Sequence, residues 1–231
     1  MINYIYLTHY LGIFRYDLYK SPNVGIFAKS NDSVVLLPYG YAETKSKRLI
    51  DYLEVDPVFV SIGGHRIIGP MVVLNNNGML LPSLASDEEI TYLKQVTGLN
   101  VARLESKHTA VGNLISANDN GAIVSPLFKG EFDKQIEDIL GINVLTMSIA
   151  GFNQTGSMVV CNNNGAAIHP NASEKEIESV ASILKVDVEP LTINGGIPYL
   201  SSGILCNSKA LVVGSLTTGP ELIMLSRGFK M

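Results

Sequence analysis

Glycines at 25, 69, 112 and 156 are each followed, six places on, by an asparagine: Asn31, Asn75, Asn118 and Asn162. The steps between these glycines are 44, 43 and 44 residues. A second glycine falls nine places after the anchor at Gly78, Gly121 and Gly165, and a proline closes the stretch at Pro38, Pro82, Pro126 and Pro170. Gly203, opening GILCNSKALVVG, anchors a fifth, abbreviated copy 47 residues after the fourth. A unit of this size cannot bury its own apolar face, so the five must stack against one another as one array.

Within a unit the pattern is clearest at Ser61–Pro82. Met71–Leu74 and Met79–Leu81 flank Asn75-Asn76-Asn77-Gly78, a tetrad suited to the positive φ angles of a tight hairpin. Both runs are too apolar for a strand wetted on one face and predict buried strands. A helix follows in each unit. Ser86 with Glu89, Ser173 with Glu176 and Thr218 with Glu221 are spaced as capping boxes. Ile177, Val180, Ala181 and Leu184 recur at helical spacing. Helices are expected near 43–54 and 131–140 as well, with Gly98 and Gly141 as stops.

A third strand ends each of the first four units, at 58–62, 101–104, 144–149 and 186–193. The fifth unit stops before its third strand, while an unassigned strand at 13–19 precedes the first unit. Ile13 lies twelve before Gly25, as Pro57 lies twelve before Gly69. The N-terminal strand therefore supplies what the fifth unit lacks and removes two free sheet edges. The expectation is an α/β, pseudo-fivefold five-bladed propeller closed by the N-terminal strand. It forms a single domain over 13–231, with repeats starting near 24, 68, 111, 155 and 202 and residues 1–12 as an extension.

Charged residues make up only 16% of the chain and the net charge is −4, which argues against wrapping DNA by phosphate neutralisation. No apolar run approaches the ~20 residues of a membrane span. Cys161 and Cys206 lie in first strands, outside any CxxC or Cys/His cluster, so they read as buried thiols and no metal site or cofactor is expected. The sharpest enzymatic alternative is Cys206 as nucleophile with His169 or His108 as base. The loops 61–68, 105–111, 150–155 and 194–202 are expected on one end of a closed ring. They carry Arg66, His108, Asn153, Asn194 and Tyr199 on a mostly polar rim suited to binding.

NVGIFAKSND at 23–32, SIGGHRIIGPM at 61–71, NNNGMLLP at 75–82 and AVGNLISANDNGAIVSP at 110–126 together resemble the translation initiation factor 6 family, the ribosome anti-association factors. SIAG at 148–151, NNNGAAIHP at 162–170, LTINGG at 191–196 and TTGPEL at 217–222 extend the likeness over about 13–227. The resemblance implies the fivefold pentein fold and no catalytic role; the enzymatic alternative, with Cys206 as nucleophile, resembles instead the guanidino-group-modifying enzymes of the same architecture. It implies a cytoplasmic monomer that binds the large ribosomal subunit at its joining face, on a ribosomal protein near the sarcin–ricin region of the rRNA. There it prevents premature association with the small subunit, with a further part in large-subunit biogenesis. It also points to Arg66, Gly69, Met71, Gly112, Asn113 and Asn194 as residues in matching motifs, Asn113 foremost; His108 and Asn153 join them as rim residues. Pro70 stands where a basic residue is frequent, and Gly195 where an arginine is expected. The chain ends at Met231 without a long acidic tail, so regulation through such a tail is not expected.

Overall fold

The alternative guanidino-modifying enzyme and the docking factor demand different things of the centre of the ring, and the strand pairing decides what that centre is. The computed structural model describes residues 12–231; the expected extension at 1–12 lies almost wholly outside them. Five three-stranded sheets form. In the first, β2 (Lys29–Ser30) pairs antiparallel with β3 (Val34–Pro38), which pairs parallel with β4 (Asp56–Val60). The second is β5 (Val73–Leu74), β6 (Gly78–Pro82) and β7 (Asn100–Leu104); the third is β8 (Ile115–Ala117), β9 (Gly121–Val124) and β10 (Asn143–Thr146). The fourth is β11 (Val159–Cys161), β12 (Gly165–Ile168) and β13 (Asp187–Pro190). The fifth joins β14 (Ile204–Cys206) and β15 (Leu211–Val213) to β1 (Ile13–Arg15). Ile13 lies opposite Leu211 and Arg15 opposite Val213, in parallel, so the N-terminal strand closes the ring. This is the five-bladed pentein architecture.

The lead-in to each blade departs from expectation. Gly69–Met71 forms a 3₁₀ turn, leaving only Val73–Leu74 as strand. The equivalent stretches Val24–Phe27, Val111–Leu114, Thr155–Met158 and Leu200–Gly203 are single helical turns. The cause is crowding at the axis. A Cβ on Gly69 would overlap the carbonyl oxygen of Gly25, one on Gly112 that of Gly69, and one on Gly156 that of Gly112; a Cβ on Gly25 would strike the carbonyl of Ser201. Each anchor glycine admits the backbone of its neighbour, which an extended strand could not offer. In the fifth blade the residue in this ring is Ser201, six before Asn207, and Gly203 is not the equivalent position. A fifth asparagine thus completes the set.

The five asparagines form a buried belt at the opposite end of the axis. Each side-chain oxygen accepts from its own hairpin turn, as Asn75 Oδ1 does from the amides of Asn77 and Gly78. Each of four side-chain nitrogens donates to the next asparagine's carbonyl: Asn31 to Asn75, Asn75 to Asn118, Asn118 to Asn162 and Asn162 to Asn207. Asn207 donates to Leu53 O, and the seam is sealed by Ser208, whose amide and hydroxyl both reach the Asp32 carboxylate. Such groups would be costly to bury unpaired; paired, they fix the register between blades.

The blade helices are Glu43–Leu53, Asp87–Thr97, Asp133–Leu140, Glu174–Leu184 and Gly219–Phe229, and each ends on a left-handed residue: Glu54, Gly98, Gly141, Lys185 and Lys230. In the last helix Leu225 and Phe229 seal the fifth blade against the fourth. Apolar clusters span blade boundaries throughout. Val73 and Leu80 of the second blade pack with Ile136 and Leu140 of the third. The core therefore sits between blades, and no blade has one of its own.

Candidate interaction face

Strand direction gives the ring two unlike ends. The asparagine turns lie at one. At the other lie the ends of the second and third strands, the loops between blades and the single helical turns. The interblade loops are tight turns in four of the five positions, marked by the bridges Leu18–Ser21, Ile62–His65, Ile149–Phe152 and Ile193–Ile197. Positive φ at Tyr19 and Lys20, at Gly63 and Gly64, and at Ala150 and Gly151 makes these mutually equivalent; the fourth is one residue wider, with positive φ at Asn194, Gly195 and Gly196.

A link not foreseen from the sequence ties these turns down. The glutamate of each capping box reaches out of its helix: Glu89 Oε2 accepts from Gly63 N at 2.8 Å and Glu176 Oε1 from Ala150 N at 2.8 Å. Glu221 accepts from the amides of Gly195 and Gly196 and the hydroxyl of Thr192. Burial of Glu221 would raise its pKa, but hydrogen bonds from Thr218, Gly195, Thr192 and Gly196 outweigh it and hold the carboxyl at about 2. The signal was present in the sequence as a glutamate 26 residues after each turn, hidden because the capping box already accounted for it.

The candidate residues divide by depth. Arg66 and Asn153 are exposed, and neither side chain has a hydrogen-bond or ion-pair partner among the described residues. His108 is half-buried, its ring edge-on to Phe128 at 6.1 Å. Asn113 is half-buried on a helical turn of the same end. Gly69 and Gly112 stand in the axial glycine ring, and Met71 is buried. Asn194 is 8% exposed and its side chain is engaged inward, donating to Pro22 O at 3.0 Å and accepting from Thr217 Oγ1.

Of the apolar part of this face, sequence reasoning found Tyr199 alone. Tyr19, Tyr39, Ile67, Leu84, Phe152, Ile197, Tyr199 and Leu216 are exposed on it, whereas Tyr92, Val96 and Ile223 sit on helix flanks. They are spread over separate loops along the chain, so no one stretch betrays the patch; closure of the ring gathers them. Phe152 meets Tyr199 edge-on at 6.3 Å and His169 at 5.4 Å, joining two blades. Burial holds the pKa of His169 below its ordinary value, against the opposing pull of Glu176 nearby.

The axis itself is a narrow channel of about 40 Å³ lined by Lys29, Ser30, Ser116, Cys161 and Cys206 among others. That holds a few waters, far from the roughly 300 Å³ of a ligand pocket. The cysteines are half-buried and line this channel. Burial pushes Cys206 up to about 12 and Cys161 up to about 11. Among the described residues no histidine lines the channel. His169 instead accepts from Asn171 N through Nδ1, and His108 packs on Phe128. The geometry thus gives Cys206 neither of the two expected histidine bases nor room for substrate; the one amine beside it, Lys29, is itself buried in the channel. Among the described residues no cluster of His, Cys, Asp and Glu is arranged to hold a metal ion.

A model of the eIF-6 family matches residues 13–228. The chain belongs to the eIF-6 family. It is 48% identical over 219 residues to translation initiation factor 6 of Nitrosopumilus maritimus, covering 95% of this chain and 99% of that one. With the same factor of Cenarchaeum symbiosum it shares 45% over 219 residues, again 95% and 99% of the two chains. Among solved structures, DDAH from Pseudomonas aeruginosa complexed with citrulline is similar at a TM-score of 0.46 and 12% identity, over 72% of this chain and 68% of that one. Agmatine deiminase of C. jejuni is similar at 0.44 and 14%, over 83% and 71%. Neither bears on the chemistry of this eIF-6 family member.

Proposed function

We propose that this protein is a translation initiation factor that binds the large ribosomal subunit through its loop face and keeps the small subunit from joining prematurely, with a further part in large-subunit biogenesis. Membership of the eIF-6 family across residues 13–228 is the observation that carries the reading. The relatives it matches are named translation initiation factor 6. The loop face supports it physically. It concentrates exposed aromatic and aliphatic side chains, Phe152 and Tyr199 among them, around the polar groups of Arg66, His108, Asn113 and Asn153. That mix of apolar anchors and hydrogen-bonding groups is what a protein-binding surface carries. Gly69, Met71, Gly112 and Asn194 serve the same face from beneath, by fixing the turns that present it.

The mechanism is occupancy. A closed ring with its turns pinned by Glu89, Glu176 and Glu221 loses little conformational freedom on docking, so modest contacts suffice. The net charge of −4 steers the ring toward basic ribosomal protein rather than bare rRNA, even where the sarcin–ricin region lies close. The factor acts in the cytoplasm as a monomer, without cofactor and without breaking any bond.

Sedimentation tests this. The protein should migrate with isolated large subunits and, added in excess to an equimolar mixture of subunits, reduce the joined-ribosome peak. Unchanged joining at saturating protein would remove the functional claim.

A further inference from the structure

The first blade lacks a carboxylate that the second, fourth and fifth blades hold at the same place. The helix of the first blade starts without a side-chain cap: Ala42 stands at the N-cap, where the others have Ser86, Ser173 and Thr218. Lys45 stands where they have Glu89, Glu176 and Glu221. The turn it faces is intact. Leu18 and Ser21 form the bridge, and Tyr19 and Lys20 take the positive φ angles of Gly63 and Gly64. Gly63 N donates to Glu89 and Ala150 N to Glu176, but the amides of Tyr19 and Lys20 have no acceptor among the described residues.

The space left is a groove of about 450 Å³ on the edge of the loop face. Its walls are rigid: Tyr16 Oη donates to Lys45 O at 2.6 Å and meets Tyr41 Oη at 3.1 Å, and Tyr19 packs edge-on against Tyr41. Lys20 and Lys45 line it and are exposed, with no ion pair to either among the described residues. The one acid in the groove, Asp17, is already engaged by the amide and hydroxyl of Ser215.

We infer that this groove is a carboxylate-binding site, taking an aspartate or glutamate side chain or a chain terminus of a partner protein onto the Tyr19 and Lys20 amides between Lys20 and Lys45. The other three blades show what the turn accepts: a planar carboxylate on a backbone amide, a charge-assisted bond that two lysines strengthen. The tyrosines supply apolar area for the residue flanking it. A nucleic-acid phosphate is the weaker fit, since a chain of net charge −4 repels a polyanion beyond the groove. The inference goes beyond the docking reading and stands whether or not the loop face meets a ribosome.

Amide NMR on the full ¹⁵N-labelled chain tests it, with a capped glycine–serine peptide carrying three glutamates, the same peptide with glutamines, and a short oligouridylate as probes. The glutamate peptide should shift the amides of Tyr19 and Lys20 and leave Gly63 and Ala150 in place, and the glutamine peptide should bind about tenfold more weakly or not at all. K45E would place the carboxylate inside the chain, as in the other blades, and should abolish these shifts without lowering the melting temperature. K45M removes charge alone and should weaken binding less than K45E. Glutamate-peptide shifts that are absent or scattered, equal binding to K45E, or localised shifts with oligouridylate alone would each overturn the proposal.

Discussion

Asn162 donates its side-chain amide to the backbone carbonyl of Asn207 across a blade boundary, at 2.7 Å, while its own Oδ1 holds the amides of Asn164 and Gly165. One residue thereby shapes a turn and sets the register of the next blade. Asn162→Ala should cost about 2–4 kcal/mol, since it strands buried donors on the turn and an acceptor on Asn207. Urea unfolding at pH 7 measures it, with the slope unchanged. A loss below 0.5 kcal/mol would mean that water replaces the belt.

Gly69→Ala and Gly64→Ala separate two reasons for glycine. A methyl on Gly69 meets the Gly25 carbonyl, whereas Gly64 has φ +77 with open space around it. Gly64→Ala should cost about 1–2 kcal/mol of left-handed strain. Gly69→Ala should exceed about 3 kcal/mol or leave no folded protein, because backbone at the axis cannot yield. Thermal melts of the two side by side decide the matter; equal stabilities would contradict the crowding.

Glu221 makes stability depend on pH in the acid range. Its folded pKa of about 2 lies below the ordinary 4.5, so its contribution is present above pH 4.5 and is lost as pH falls toward 2. The separation corresponds to about 3 kcal/mol at neutral pH. Glu176, also held low by hydrogen bonds that outweigh its burial, acts in the same direction. Chemical denaturation between pH 2 and 6 should show the loss, and Glu221→Gln should flatten its steepest part while lowering stability at pH 7. A wild-type curve flat across that range would show that the carboxyl is not so held.

With Cys206 pushed up to about 12, its thiolate fraction at pH 8 is about a thousandfold below that of a free cysteine. Iodoacetamide, followed by peptide mapping, should label Cys206 of the native protein correspondingly slowly, Cys161 (pushed up to about 11) about tenfold faster than Cys206, and both at the ordinary rate in urea. Cys206→Ser should leave anti-association intact; its loss would return the channel to consideration as a reactive site.

Phe152→Ser should weaken binding to large subunits about tenfold, the loss expected of a central aromatic anchor, with the melting temperature nearly unchanged because the ring is already exposed. Arg66→Ala and Asn113→Ala should each weaken it by a smaller factor. Gradient binding isotherms at fixed salt give the numbers, and full affinity in Phe152→Ser would move the docking surface elsewhere.

Blade number, helix positions and closure by residues 13–15 were legible because they rest on local signals at a fixed period: turn glycines and asparagines, capping pairs and apolar stripes. The fifth blade was misaligned by two residues, since Gly203 looks like an anchor and only the packing of Ser201 against Gly25 reveals the true position. The short strand at Val73–Leu74 was overextended for a related reason, as an apolar run does not announce the axial crowding that coils its first half.

The chain by itself thus determined that it must be a ring of five, because a repeat with one apolar face and no core has no other way to leave water. Tertiary structure alone decided what the ring displays. Exposed side chains such as Ile67, Phe152 and Leu216 become a single face, and Lys45 becomes the odd member among three glutamates, only when blades distant in sequence are brought to one end. Local periodicity encodes who neighbours whom within a blade; which lone side chains come to share a surface is set by closure, a property of the whole circle.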